Sequence, residues 1–259
     1  MSTTASGARG APAPRFTPPG DFQTARLIAV RAALESLRDR ATQMTSGLFS
    51  LVGPLFWVLV IIRPAAPTSS PAHLASLMTI YLLVAGLLPA NFATGVAAGQ
   101  FAGEKEKGNL APLLSSPASN FAIFAGKILG AVTPALLYSL VAEATYLMEI
   151  WAFLGKDRLS LLQPGIVVAT LAMVPVIATF AAGVAALISS RVRTYQVAQG
   201  VASLALMPVY VIFFGLVAEL QVWGSLAVLI GAAVVTLADI GLIALAAATW
   251  RREEVLAKR

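Results

Sequence analysis

The chain has no cysteine. That excludes a disulfide framework and any thiolate metal site. It has one histidine, which excludes a histidine metal cluster. Only 12% of its residues are charged, where a soluble domain carries roughly a quarter. No G-x-x-x-x-G-K-[ST] loop occurs: Gly126-Lys127 is followed by Ile128, and Gly155-Lys156 by Asp157. The phosphate cradle of a P-loop ATPase is therefore missing. H-E-x-x-H and G-x-S-x-G are missing too, so metalloprotease and hydrolase-elbow chemistry have no support. The net charge of +6 is spread over the ends of apolar runs rather than gathered in a patch. It reports topology, and no nucleic-acid partner is expected.

What is there is apolar. Hydrophobic residues make up 58% of the chain, and the mean hydropathy is +0.81. Long apolar runs recur without the alternation of a strand. They predict an all-α integral membrane protein with six transmembrane helices, preceded by an amphipathic interfacial helix.

Met1–Gly20 is rich in Pro, Ala, Ser, Thr and Gly, and is expected to be a disordered tail. It lacks the apolar core of a signal peptide. Asp21–Met44 reads as one amphipathic helix with Asp21 as its N-cap. Leu27, Val30, Leu34, Leu37, Ala41 and Met44 make one stripe, and Arg31, Glu35, Arg38 and Asp39 lie opposite. Such a helix suits the membrane surface, with Arg26 and Arg40 reaching toward lipid headgroups. Spans follow at about Thr45–Ile62 (kinked at Pro54), His73–Gln100, Asn120–Phe153, Pro164–Ser189, Gln196–Leu216 and Val222–Trp250. Together they form one six-span domain over 45–250, and 251–259 is a short tail.

The loops orient the chain. With both termini, the Gly103–Pro117 loop and the Ser190–Tyr195 loop on one side, that side collects all Lys and Arg except Arg63, Lys156 and Arg158. The positive-inside rule then places both termini in the cytosol.

Between spans two and three lies GEKEKGNLAPLLSSP, Gly103–Pro117. Glu104, Lys105, Glu106 and Lys107 alternate in sign, and Gly108 breaks the run. Asn109 can cap a new helical turn. Leu110, Leu113 and Leu114 share one face of it, and Pro117 stops it. The segment is either a short amphipathic helix shaped to dock on a cytosolic partner or an ordinary polar loop. Small residues recur nearby, at Gly95, Gly99 and Gly103 and at Gly126 and Gly130. They mark close helix contacts, either moving ones at a gate or plain tight packing. Two acids fall inside spans, Glu143 and Asp239. An ionisable group at such depth suggests a pathway, a proton carrier or a structural hydrogen bond.

The run EKEKGNLAPLLSSPASNFAIFAGKIL, Glu104–Leu129, resembles the permease subunits of the ABC-2 transporter family. Glu104–Lys107, Gly108, Leu110, Leu113, Leu114, Ser116, Pro117, Gly126 and Lys127 fit the family pattern. Asn109 stands where Thr is usual, and Ala111 where Glu is frequent. ISSRVRTYQVAQGVASLALMP, Ile188–Pro208, is similar to the family's loop and the start of its fifth span. The resemblance implies an exporter built of two permease halves, identical or paralogous, each seated on a separate P-loop ATPase subunit. ATP and Mg would sit on that partner, with no cofactor in this chain. It implies that Asn109–Ser116 is a coupling helix and that Glu104–Lys107 belongs to a gate helix beside it. It also implies that spans two and five line the pathway, through Asn91, Thr94, Gln100, Met207, Tyr210, Phe213 and Phe214. The expected location is the cell membrane of a bacterium or archaeon, and the expected cargo is apolar, amphiphilic or lipid-linked. The competing expectations are an ion-driven secondary carrier using Asp239 and Glu143, and a membrane scaffold that transports nothing.

Overall fold

A computed structural model describes residues 20–108, 116–192, 194–218 and 220–249. Every regular element among them is helical. We label the main helices α1 (Asp21–Arg38), α2 (Arg40–Trp57), α3 (Pro71–Ala90), α4 (Phe92–Ala98), α5 (Asn120–Leu154), α6 (Pro164–Arg191), α7 (Tyr195–Ala218) and α8 (Leu220–Thr249).

Among the described residues, five helical runs are long and apolar enough to cross a membrane: Thr42–Ala65, Pro71–Glu106, Asn120–Leu154, Pro164–Arg191 and Leu229–Thr249. The 24 residues of α7 lie where the sequence places a fifth span. At 1.5 Å per residue they reach about 36 Å, enough for a bilayer core of ~30 Å. Large apolar side chains point outward along these helices: Leu140, Val211 and Leu237 are more than half exposed. Such surface suits lipid and not water.

The single helix expected over Asp21–Met44 is two helices. The chain turns at Asp39, whose backbone is extended. Asp39 Oδ2 accepts from the Thr42 amide at 3.0 Å and the Thr42 hydroxyl at 2.5 Å. It is thus the N-cap of α2 rather than part of a polar helix face. Gly20, not Asp21, occupies the N-cap position of α1.

α1 meets the protein through its small residues. Its buried residues are Ala25, Ala32, Ala33 and Ser36, while Leu27, Val30 and Leu34 are about half exposed or more. The small face packs on α5 at the Gly126–Gly130 row. A Cβ on Gly126 would stand 2.7 Å from the Ala25 carbonyl oxygen, and one on Gly130 would stand 2.9 Å from that of Ala29. Only glycine permits that approach. These two glycines therefore seat α1, not a neighbouring span.

α2 contains Pro54, which cannot donate to the Ser50 carbonyl. The helix continues through a π-helical turn, Val58–Ile62, to Ala65. α3 carries Pro89 near its end, and the chain passes through Asn91 into α4. A second π-helical turn, Gly99–Gly103, leads to the charged turn Glu104–Glu106. α6 is the hub, packed against α3, α4, α5, α7 and α8. The main core joins Leu83, Phe101, Phe124, Ile128, Val174 and Ala182 among others. A second cluster at the far end, around Met78, Tyr146 and Ile150, is tied by the Tyr146 hydroxyl donating to the Met78 carbonyl at 2.9 Å.

Candidate functional site: the charged turn and the groove beside it

The second π-helical turn decides where Glu104–Lys107 point. An α-helix would bond the Ala102 N–H directly to the Ala98 carbonyl. Here the Ser189 hydroxyl stands between them, accepting from Ala102 N at 2.8 Å and donating to Ala98 O at 3.0 Å. Ser189 is completely buried. Beyond this insertion each residue of the charged turn meets a different helix.

Glu104 pairs with Lys127 of α5, Oε2 to Nζ 2.5 Å. The Lys127 side chain is 3% exposed and that of Glu104 31%. The ammonium also donates to the Gln100 carbonyl and lies 5.1 Å from the centre of the Phe101 ring. A buried ammonium needs such compensation. Lys105 Nζ approaches the carbonyls of Ser190 and Val192 at 3.5 and 3.4 Å, at the C-terminus of α6. Glu106 Oε2 accepts from the Tyr195 amide at 3.2 Å, at the N-terminus of α7. Both contacts match the helix dipoles: a cation beside freed carbonyls, an anion beside freed amides. Gly108 ends the turn with φ +72°, a left-handed conformation suited to glycine.

One side of this turn opens on a groove of ≈ 730 Å³, whose lining includes Phe49, Asn91, Thr94, Lys107, Tyr195 and Gln199. Gly95 and Gly99 face Gln199 and Tyr195 across it. Asn91 Oδ1 accepts from the Thr94 hydroxyl at 3.2 Å and the Tyr210 hydroxyl at 3.1 Å, so α4 and α7 are bridged at its head. Of the residues expected along a pathway, Asn91 and Thr94 line this groove and Tyr210 reaches it through Asn91. Gln100 does not line it; its carbonyl serves Lys127 instead. Met207 is 62% exposed and is not part of the lining. The side chains of Phe213 and Phe214 lie outside the described residues, as do Asn109, Leu110, Leu113 and Leu114 of the expected coupling helix.

Neither intramembrane acid lines the groove. Glu143 is 2% exposed and Asp239 5%. Glu143 Oε1 and Asp239 Oδ1 have no hydrogen-bond partner among the described residues. Glu143 is pressed against Gly86 of α3, beside Val174 of α6.

The charged turn thus ties together four helices at one end of an apolar bundle. A model of the family described as ABC-2 type transporter matches residues 26–223. The chain belongs to the ABC-2 type transporter family. It is a multi-pass membrane protein, a permease of the ABC transporter class. The matched range spans α1 to α7, including the charged turn and the groove. No curated protein sequence matches the chain.

Sequence reasoning missed Ser189 and the pairing of Glu104 with Lys127. The pairing had a signal: Lys127 is the one basic residue of its span, and a buried ammonium demands a carboxylate. The Ser189 contact had none, since nothing local distinguishes that serine from Ser190.

Proposed function

We propose that the chain is the membrane subunit of an ATP-driven exporter, coupled to a separate ATPase subunit that carries the ATP and Mg. The observation behind this reading is the charged turn. It stands directly before Asn109–Ser116 and contacts α5, the end of α6 and the start of α7 at once. A partner that pushes on Asn109–Ser116 acts on one rigid junction and moves all three helices together. The apolar face of Leu110, Leu113 and Leu114 is the docking surface for that partner.

Six spans, with both termini in the cytosol of a bacterial or archaeal cell membrane, complete the arrangement. α1 lies in the membrane surface with Leu27, Val30 and Leu34 toward lipid. A second permease half, identical or paralogous, faces the groove. The groove is apolar at Phe49, Leu88 and Val96 and polar at Asn91, Thr94 and Gln199. That mixture supports an amphiphilic or lipid-linked cargo.

The energy source tests the proposal. Proteoliposomes holding the chain and its ATPase, with a fluorescent long-chain phospholipid as probe, should move the probe on adding ATP with the proton gradient collapsed. Glu143→Gln and Asp239→Asn should leave the ATP dependence in place. Movement driven by a proton gradient without ATP, and lost in those two variants, would overturn it.

A further inference from the structure

We propose that Ser189 is a positioning residue that sets the rotational register of the charged turn, acting from α6 on the backbone between α4 and Glu104. The geometry lies in two hydrogen bonds. The Ser189 hydroxyl occupies the gap where the Ala102 N–H would otherwise meet the Ala98 carbonyl. A side chain inserted in this ladder opens the α-helical turn to a wider one. The result is the π-helical turn Gly99–Gly103, closed by the Glu104 N–H reaching back to the Gly99 carbonyl.

A π-helical turn holds one residue more than an α-helical turn. Withdrawing the hydroxyl lets Ala102 and Ala98 bond directly, and the following residues rotate by about 100°, the angle of one residue in an α-helix. Such a rotation separates Glu104 from Lys127, Lys105 from the end of α6, and Glu106 from the start of α7. The helix thus has two discrete registers, hydroxyl in and hydroxyl out. Only the first makes the contacts of the charged turn. The Lys127 ammonium on the Gln100 carbonyl also favours the wider turn, whereas Gly103 does not, since a Cβ there would meet open space. The link between this register and ATP coupling rests on the function proposed above; the register itself does not.

The chain has no cysteine, so introduced thiols report without background. Glu104→Cys and Lys127→Cys, joined by a short bifunctional thiol linker, read the register and also remove the ion pair. In that background the turn is held by Ser189 and by the contacts of Lys105 and Glu106. The linker should bridge the pair in the parent. Ser189→Ala should reduce bridging at least about fivefold, the equilibrium equivalent of one net hydrogen bond. Deleting Gly103 in the Ser189→Ala chain removes the extra residue, returns Glu104 to its direction in an ordinary α-helix, and should restore bridging. A merely structural serine would not be rescued by a deletion. Each sample is checked for a single monodisperse peak in detergent. If Ser189→Ala aggregates, Ser189→Thr and Ser189→Val decide: equal in shape, only the first keeps the hydroxyl, and only the first should bridge. Equal bridging in parent and Ser189→Ala, or in Thr and Val, overturns the proposal. Wild-type bridging with no ATPase bound leaves the register intact and removes the functional reading instead.

Discussion

Replacing Glu104 with Gln should cost more stability than replacing Glu104 and Lys127 together. The pair is unequal: Lys127 is 3% exposed and Glu104 31%. Losing the carboxylate leaves a buried ammonium held by the Gln100 carbonyl and the Phe101 ring. Breaking a fully buried pair costs roughly 3–5 kcal/mol; the partial exposure of Glu104 brings this to about 2–3. Lys127→Met keeps the length of the chain and removes the charge. Glu104 then turns to water, at a cost of about 1 kcal/mol after the lost charge-assisted bond is offset by hydration. The double variant should also cost about 1 kcal/mol, which gives a coupling of about 2–3 kcal/mol. Thermal unfolding in one detergent, followed by intrinsic tryptophan fluorescence, measures this. Glu104→Gln should lower Tm by roughly 5–10 °C, and the double variant by about 2–4 °C. A double variant that loses the sum of the two singles would refute the idea that Lys127 is a buried charge compensated by Glu104.

Gly130→Val should push α1 off α5, because the new side chain meets Ala32 and the Ala29 carbonyl. Overpacking of this kind costs about 1–3 kcal/mol, and a thiol placed at Ala33 should become reactive to maleimide. Gly86→Ala drives a methyl against Glu143 and Val174. It should lower Tm, and Glu143→Ala should relieve part of the loss, so that the double variant loses less than the singles combined. A fluorophore on Leu27→Cys or Leu34→Cys should be quenched by lipids brominated near the headgroup, since both side chains point away from the protein; quenching equal to that of a water-exposed control would place α1 elsewhere.

Most boundaries of the long helices were readable because burial in lipid imposes length and apolarity together. Asn120–Leu154, Pro164–Arg191 and Tyr195–Ala218 fall within two residues of the expected ends. Asn91 and Thr94, expected on a pathway, do line the groove. The failures are equally physical. The apolar stripe on α1, expected to lie in the membrane surface, did not say which residues would meet the protein. In a membrane, however, helices meet through small residues, and the Ala face won because it fits Gly126 and Gly130. The break at Asp39 was hidden because one side chain bonded to Thr42 overrides a periodicity that runs on across it. Gln100 was expected to point its side chain into a pathway. The π-helical turn instead brings its carbonyl to Lys127, a consequence of a serine 89 positions away. Long-range insertions of that kind leave no local trace.

The central claim is that this membrane subunit works through a separate ATPase docked on the segment after the charged turn. Purification from the native host in mild detergent, with mass spectrometry and an ATPase assay, tests it most directly. The parent chain is compared with a variant carrying Leu110→Ser, Leu113→Ser and Leu114→Ser. The expected result is a P-loop ATPase that copurifies with the parent, hydrolyses ATP, and is lost from the variant while the variant remains monodisperse. Absence of any ATPase from the parent across several mild detergents, or equal recovery with the variant, would contradict it.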